Sequence, residues 1–289
     1  MLMLRRSTIQ LLRFPFSLFL LPVFLFALSE SEHLDTHIAW IIFAILHLLV
    51  YPASNGYNSY MDRDETPIGG LERPPAPSRE LFVVTIVMDA TALLLSYFLV
   101  SPFFTAGVAV YIIASRAYSY RGIRLKRFPV AGFLTVFIFQ GAWIYWIVAR
   151  TTDGHYGMDP QLLPALASSC LIGALYPLTQ VYQHEADIAD GVVTISYRLG
   201  KRGSFLFSGL LFGVATALLY ATYAAEGSGS FILAFLVFTL PVVIYFLYWM
   251  LKVWKNEAAA DFKHSLRMNI IASVCMTLYF FILTLPNFS

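Results

Sequence analysis

Long apolar stretches separated by polar connections run along the whole chain. Each stretch is continuous, as between Leu93 and Val100, which favours helices because the strands of a membrane β-barrel would alternate. Nine of the stretches are long enough to cross about 30 Å of hydrocarbon. The predicted spans lie at roughly 12–29, 37–57, 81–100, 103–120, 129–149, 161–182, 204–223, 230–251 and 268–286.

The composition agrees with this pattern. The 289 residues are 58% hydrophobic and 12% charged, with a mean hydropathy of +0.69, whereas a soluble domain carries about a quarter charged residues. We therefore expect an all-α, multi-pass integral membrane protein with one domain over residues 1–289. No nucleic-acid motif is present, so no nucleic-acid partner is expected. Cys170 and Cys275 lie inside apolar stretches without zinc or redox spacing, and we interpret them as packing residues.

The N-terminus carries Arg5, Arg6 and Arg13 before an apolar stretch from Phe14 to Leu28. This order is similar to a signal peptide. Because further spans follow, we favour an uncleaved first helix.

The basic residues predict the orientation of the chain. With nine spans, eighteen of the nineteen Lys and Arg residues fall on the side of the N-terminus, and only Arg150 falls opposite. Basic residues concentrate on the cytoplasmic side of membrane proteins. We therefore predict a cytoplasmic N-terminus and an outside C-terminus, in a bacterial-type cell membrane.

Two connections on that side, at roughly 58–80 and 183–202, are longer than the usual links in a helical bundle. The span before each ends in amides and one acid at positions i, i+3 and i+7, which share a helix face: Asn55, Asn58 and Asp62 before the first connection, and Gln180, Gln183 and Asp187 before the second. A helix end that only meets lipid headgroups does not need such a face. The two faces are therefore predicted to be functional.

A basic segment lies between these two faces in the sequence, with Arg121, Arg124 and Lys126 among its residues. It suits a cytoplasmic anchor, and its cations also suit phosphate oxygens. Mg²⁺ takes one or two carboxylates together with substrate phosphate. Acids, cations and an apolar interior therefore predict a site for a lipid diphosphate.

At these motifs the chain resembles the UbiA superfamily of intramembrane prenyltransferases, over nearly its whole length. The first family motif has the form Asn-Asp-x-x-Asp, and this chain reads Asn58-Ser59-Tyr60-Met61-Asp62-Arg63-Asp64-Glu65. The second has the form Asp-x-Glu-x-Asp-x-x-x-Gly-x-x-Thr followed by Leu-Gly, and this chain reads Gln183-x-Glu185-x-Asp187-x-x-x-Gly191-x-x-Thr194, then Leu199-Gly200.

Shorter elements add to the resemblance. Arg73-Pro74 with Pro77-Ser78 is similar to an Arg-Pro element of the family, and the segment 118–126 to its tyrosine-to-lysine loop. The spacing of Ser54, Asn55, Asn58, Tyr60 and Asp62 is most similar to the menaquinone-pathway branch, which prenylates a naphthoate.

The resemblance implies nine transmembrane helices around a central cavity and a Mg²⁺-dependent transfer reaction. An isoprenyl diphosphate would be the donor, and an aromatic or quinone-precursor molecule the hydrophobic acceptor. The implied catalytic residues are Asp62 and Asp187, and the implied metal ligands are Asp62, Asp64, Glu65, Glu185 and Asp187. The implied substrate-binding residues are Asn55, Asn58, Arg73, Tyr118, Arg121, Arg124, Lys126, Tyr182 and Gln183. Aromatic candidates for stabilising an allylic cation are Tyr57, Tyr60, Tyr118 and Tyr182.

Ser59 and Gln183 depart from the family pattern, because each replaces the first Asp of its motif. Three functions therefore stay open: a prenyltransferase, which we favour, a cyclase that acts on the diphosphate alone, and a non-catalytic lipid-binding or partner-binding relative. A transporter fits less well, since the charged groups gather at one face.

Three further polar residues fall in or near apolar stretches. His47 has no ligand partner at helical spacing and is interpreted as an interior histidine, whereas His184 borders the site and is a candidate acid or base. Asp89 is an intramembrane acid without a readable partner. It is either functional or protonated and hydrogen-bonded between helices.

Overall fold

The computed structural model of the protein describes residues 4–31, 33–153, 161–225 and 229–285. Over these residues the chain is helical and forms no β-strand. The predicted end of the last span, at position 286, lies outside the described residues.

We number ten helices of the described chain in order. They are α1 Arg6–Ser29, α2 Thr36–Asp62, α3 Arg79–Leu99, α4 Pro102–Ser119, α5 Pro129–Thr152, α6 Leu162–Thr179, α7 His184–Ala189, α8 Ile195–Ala224, α9 Ser230–Lys255 and α10 Phe262–Thr284.

Eight of the described helices, all except α4 and α7, are long and apolar enough to cross a membrane. The prediction of an all-helical, multi-pass integral membrane protein is therefore confirmed. Helix α4 has 18 residues, among them Arg116 and several hydroxyl side chains, and does not meet this criterion of length and composition. Its role as the ninth span stays a prediction.

The outer faces of the helices expose large apolar side chains. Phe98 is 75% exposed, and Ile113 and Leu233 are similarly open. Such a surface is costly in water and suits a hydrocarbon solvent.

Three helices pack together at the end of the bundle away from the basic connections. There the second half of α1 packs against α10 and against the second half of α5. The hydroxyls of Ser31 and Thr152 lie 3.1 Å apart at this end. The polar end of α2 and the polar turn that follows α6 lie at the other end.

Three of the helices have irregular backbone. Helix α2 contains a π-helical segment, Ile45–Val50, and α5 contains another, Phe137–Trp143. Helix α1 is broken at Arg13, which adopts left-handed angles of φ 48° and ψ 49°. π-Helical segments are frequent at functional sites, and a non-glycine residue in left-handed conformation stores strain. All three irregular helices supply residues to the cavity described next.

Candidate functional site

The polar ends of α2 and α6 meet at one cavity of about 240 Å³, which we call the polar cavity. Its lining includes Asn55, Asn58 and Asp62 from α2, Gln180 and Gln183 from the turn between α6 and α7, and Asp187 from α7, so the second predicted helix face is interrupted by a turn. The two faces predicted from the sequence therefore lie on the same side of the bundle and look into the same space.

Asp62 is the most strongly paired acid of the polar cavity. Its carboxylate accepts a hydrogen bond from Lys126 Nζ and lies 3.4 Å from Arg124 Nη2. Its side chain is only 3% exposed, so both cations act on it through a medium of low polarity. Lys126 also lines the cavity.

Arg121 and Arg124 join the basic segment to both motifs, outside the cavity lining. Arg121 Nε donates to the carbonyl oxygen of Met61 at 2.7 Å. Arg124 has a left-handed backbone (φ 53°), and its guanidinium pairs with Asp190 and Asp62. These contacts fix the segment that carries Lys126 against Met61, Asp62 and Asp190, and neither arginine lines the cavity.

Two further acids of the cavity resist ionisation. Burial and the neighbouring Asp62 carboxylate raise the pKa of Asp64 to about 6. Burial, with Asp64 and Asp62 nearby, raises the pKa of Asp187 to about 7, although Lys126 acts in the opposite direction. Three acids around one space repel each other, and a bound cation would relieve this repulsion.

Several residues predicted for the site lie outside the lining. Glu65, Arg73 and Glu185 are exposed. Tyr57 and Tyr60 pack against Phe82 of α3, and Tyr182 packs against Phe262. Of the four tyrosines predicted near the cation, the structure places only Tyr118 in the lining, where its hydroxyl lies 2.6 Å from that of Tyr176.

Arg13 is a site residue that the sequence interpretation missed. It is buried and lines the polar cavity. Its guanidinium donates to the carbonyl oxygens of Asn55 and Gly69, each at 3.1 Å, while Nε has no partner among the described residues. The break in α1 brings it there. The available signal was an arginine followed by Phe14-Pro15 within the first apolar span.

A second group of missed residues forms an uncharged polar wall deeper in the cavity. It consists of Tyr51 and Ser54 of α2, Tyr111 and Ser115 of α4, and Gln140 in the π-helical segment of α5. The available signal was the spacing of Tyr111, Ser115 and Ser119 along one face of α4. Ser119 lies at the top of this face and accepts a hydrogen bond from Asn58 Nδ2 at 3.0 Å.

An apolar cavity of about 250 Å³ adjoins the polar one. Its lining includes Phe26, Leu171, Phe212 and Met276. Four residues line both cavities: Phe19, Ile172, Leu175 and Ser273. A molecule with a charged head and a long apolar chain would therefore find matching surroundings in the two cavities.

Asp89 has a partner that its sequence position did not reveal. Arg116 of α4 forms an ion pair with it, contacts Thr85 and lies 3.8 Å above the ring of Tyr57. The acid is thus part of an ion pair between α3 and α4, outside the lining of the polar cavity.

The two histidines take structural positions. His47 is buried against Phe43 and Tyr51, with Nδ1 3.2 Å from the carbonyl oxygen of Ser17. Burial, with Lys201 nearby, lowers the pKa of His184 to about 4, and Nε2 lies 2.8 Å from Ser196 Oγ. A neutral, hydrogen-bonded His184 does not suit a general acid at neutral pH.

Comparison with known proteins identifies the family. The profile of the UbiA prenyltransferase family matches residues 17–271, which is most of the chain. The chain belongs to this family.

Solved UbiA structures share the fold at low sequence identity. A UbiA homologue from Archaeoglobus fulgidus bound to DMAPP and Mg²⁺ has a TM-score of 0.68 and 18% identity, over 96% of this chain and 99% of that one. An apo UbiA homologue from Aeropyrum pernix K1 has a TM-score of 0.70 and 18% identity, over 93% and 98%. The structure of a digeranylgeranylglyceryl phosphate synthase has a TM-score of 0.63 and 17% identity, over 97% and 98%. No curated protein matches the chain.

The two residues predicted from the sequence to depart from the UbiA motifs occupy different surroundings. Ser59 is buried outside the cavity lining, and its hydroxyl has no partner among the described residues. Gln183 lies in the lining, and its amide donates to the carbonyl oxygen of Pro67 at 3.1 Å. Of the two predicted departures, only Gln183 therefore lies in the cavity wall.

Proposed function

We propose that this UbiA-family protein transfers an isoprenyl group from an isoprenyl diphosphate to a hydrophobic acceptor within the membrane, with Mg²⁺ as cofactor. The arrangement of the two cavities carries the proposal. Asp62, Asp64 and Asp187 line the polar cavity together with Lys126 and Arg13, and an apolar cavity adjoins it. The acids suit a divalent cation, the bases suit phosphate oxygens, and the apolar cavity suits an isoprenoid chain.

The donor set fits Mg²⁺. Over the described part of the chain, no three His, Cys, Asp or Glu side chains surround one point as a ready-made metal site. Mg²⁺ does not require one, because it is commonly held by one or two carboxylates, water and substrate phosphate. We assign Asp62, Asp64 and Asp187 to this role and leave out the exposed Glu65 and Glu185. When bound, Mg²⁺ neutralises charge that develops on the departing diphosphate.

The residues of the chain then perform the remaining steps. Lys126 and Arg13 donate hydrogen bonds to the diphosphate, and Arg121 and Arg124 position Lys126. The allylic C–O bond breaks, and its electron pair leaves with the diphosphate. The rings of Tyr118 and Tyr176 line the cavity and stabilise the allylic cation. The acceptor forms the new bond to the allylic carbon and releases a proton.

Known structures support the choice of donor and metal. The Archaeoglobus fulgidus homologue was solved with DMAPP and with GPP, in each case with Mg²⁺. We transfer these two ligand classes to the present chain as part of the proposal.

The finer assignments are also proposals. The spacing around Asn58 and Asp62 supports an aromatic or quinone-precursor acceptor. The one-sided distribution of basic residues supports nine spans, a cytoplasmic N-terminus and an outside C-terminus. A bacterial-type cell membrane is part of the same proposal.

A non-catalytic lipid-binding protein is the second candidate. Its supporting observation is Gln183, which places a neutral amide in the cavity lining where the family motif has an acid. Such a protein would bind the diphosphate without cleaving it.

One experiment separates these functions. Purified protein is incubated with Mg²⁺ and a panel of isoprenyl diphosphates, with and without aromatic acceptors, while pyrophosphate and extracted lipids are measured. A prenylated acceptor with stoichiometric pyrophosphate supports transfer. Pyrophosphate with a cyclised isoprenoid indicates a cyclase, and binding without release indicates the second candidate. If no isoprenyl diphosphate binds, the proposal is wrong.

A further inference from the structure

The polar cavity is divided by charge along its depth. Asp62, at the end of α2, marks the charged part, and Ser54 lies eight residues earlier on the same helix, about 12 Å deeper at 1.5 Å per residue. Tyr111 likewise lies eight residues before Ser119 on α4. Tyr51, Ser54 and Tyr111 of the uncharged wall therefore lie about two helical turns or more from the helix ends that carry Asp62 and Ser119.

The wall is rich in groups that both donate and accept hydrogen bonds. The hydroxyls of Ser54 and Ser115 lie 2.5 Å apart, and the Tyr111 hydroxyl lies beside the side chains of Gln140 and Ser54. Tyr51 is buried in the same lining, and its hydroxyl has no partner among the described residues. Polar side chains inside a membrane bundle are costly unless they are paired or used by a ligand.

Helix association alone does not account for this wall. Hydrogen bonds between membrane helices commonly connect two side chains, as Ser54 and Ser115 do. Here three helices direct hydroxyl and amide groups into an open space that continues from the diphosphate site. This arrangement is that of a binding surface.

The wall has no charge to offer an anion. Among the described residues, the cations of the cavity lining are Arg13 and Lys126. Lys126 pairs with Asp62, and Arg13 is held by Gly69 and lies near Asp64 and Asp62. Both therefore belong to the charged part. A carboxylate or phosphate placed against the wall would be buried without a counter-charge, at a large cost.

The geometry points to this wall as the site of the acceptor, an inference that rests on the proposed transfer reaction. The site would be specific for an uncharged hydroxylated ring such as a phenol or hydroquinone. Ring hydroxyls donate and accept hydrogen bonds, which matches the amide of Gln140 and the hydroxyl of Tyr111. The wall disfavours acceptors whose ring carries a carboxylate and acceptors that are polyol phosphates.

A pair of acceptors that differ by one group tests the assignment. Full-length protein is assayed with Mg²⁺, farnesyl diphosphate and either naphthohydroquinone or the same ring with a carboxylate. We expect a KM at least tenfold lower for the uncharged ring, because the carboxylate would lose its solvation without gaining a partner. A KM for the carboxylated ring that is equal or lower would overturn the assignment.

Variants of the wall give an independent readout. Gln140→Leu should raise the KM for naphthohydroquinone about tenfold, the loss typical of one buried hydrogen-bonding partner, and leave the KM for farnesyl diphosphate unchanged. Gln161→Leu is the matched control, since Gln161 bonds to Tyr145 outside the lining. A parallel rise of both KM values in Gln140→Leu, or an equal response of Gln161→Leu, would contradict a role in acceptor binding.

Direct binding distinguishes this inference from the proposed function. Binding of naphthohydroquinone alone is measured by its shift of the thermal unfolding temperature, for the wild type and for Gln140→Leu. Ring binding that Gln140→Leu weakens supports the wall as a site even if no isoprenyl diphosphate binds, in which case only the transfer reaction is wrong. Diphosphate binding without any binding of the ring overturns the wall as the acceptor site.

Discussion

Lys126 donates a hydrogen bond to Asp62. We assign Asp62 to Mg²⁺ and Lys126 to the diphosphate, so without ligand these two groups form an ion pair with each other. Binding of Mg²⁺ to the acid and of diphosphate to the base would replace one internal ion pair by two pairs with the ligand. This exchange keeps both charges compensated in a buried place, where an unpaired charge is costly.

Asp62→Asn should lower Mg²⁺-dependent pyrophosphate release by at least about 100-fold, because the variant loses a charge that acts on the departing diphosphate. It also leaves Lys126 without its partner, so folding must be checked by thermal unfolding. Glu257→Gln is the control, since this exposed acid pairs with Arg202 outside the cavity. Release by Asp62→Asn within a few-fold of the wild type would contradict the assigned role.

Mg²⁺ binding should weaken as the pH falls. The pKa values of Asp187 and Asp64 are raised to about 7 and about 6, so protons compete with the cation below those values. Titration with Mg²⁺ from pH 8 to pH 5.5 should therefore show falling affinity with proton release. Asp187→Asn should bind more weakly and with less dependence on pH. Glu185→Gln, two residues away but exposed, should behave as the wild type; if it responds as strongly as Asp187→Asn, the structural assignment of ligands is wrong.

The stability of the ligand-free protein should fall as the pH rises. The pKa of Asp187 is higher in the folded protein than its ordinary value of 3.8. The raised pKa therefore does not change the free energy of unfolding below about pH 4, and it lowers that free energy as the pH rises through about 7. Asp187→Asn should unfold at a higher temperature than the wild type at pH 8 in the presence of EDTA, and at the same temperature at pH 4. A lower unfolding temperature at pH 8 would show that the ionised carboxylate is stabilised in the fold.

Local geometry explains which parts of the site were predictable from the sequence. On α2, helical periodicity alone places Asn55, Asn58 and Asp62 together, because they are at most seven positions apart on one helix. Apolar length likewise predicts eight of the spans. Both arguments need only neighbouring residues. The second predicted face is different, since a turn at 180–183 separates α6 from α7 and Gln180, Gln183 and Asp187 do not share one helix.

The parts that were missed depend on distant contacts. Arg13 reaches the cavity through a break in α1 and a hydrogen bond to Gly69, 56 residues further along the chain. Gln140 faces the cavity from a π-helical segment, which regular spacing does not anticipate. Arg116 was counted only as a cytoplasmic basic residue, yet it reaches Asp89 because α3 and α4 pack side by side.

The ion pair of Asp89 and Arg116 should contribute to stability and not to chemistry. The two side chains are 12% and 17% exposed, so Asp89→Asn leaves a mostly buried guanidinium without its counter-charge and should destabilise the protein by about 3 kcal/mol. The double variant Asp89→Leu with Arg116→Leu removes both charges and should be more stable than Asp89→Asn. Denaturant unfolding in detergent measures both. A loss of pyrophosphate release in the double variant, at unchanged stability, would instead assign the pair to the reaction.

Arg13 should determine the affinity for the diphosphate. Arg13→Gln removes a buried cation from the charged part of the cavity and should raise the KM for an isoprenyl diphosphate about tenfold, as for loss of a charge-assisted hydrogen bond, with kcat little changed. Arg13→Lys should restore this only partly, because one ammonium cannot keep the bonds to Asn55 and Gly69 and also reach the ligand. Arg5→Gln is the control, since Arg5 is exposed and pairs with Glu80. Equal KM values for Arg13→Gln and Arg5→Gln would show that Arg13 only holds α1 against the rest of the bundle.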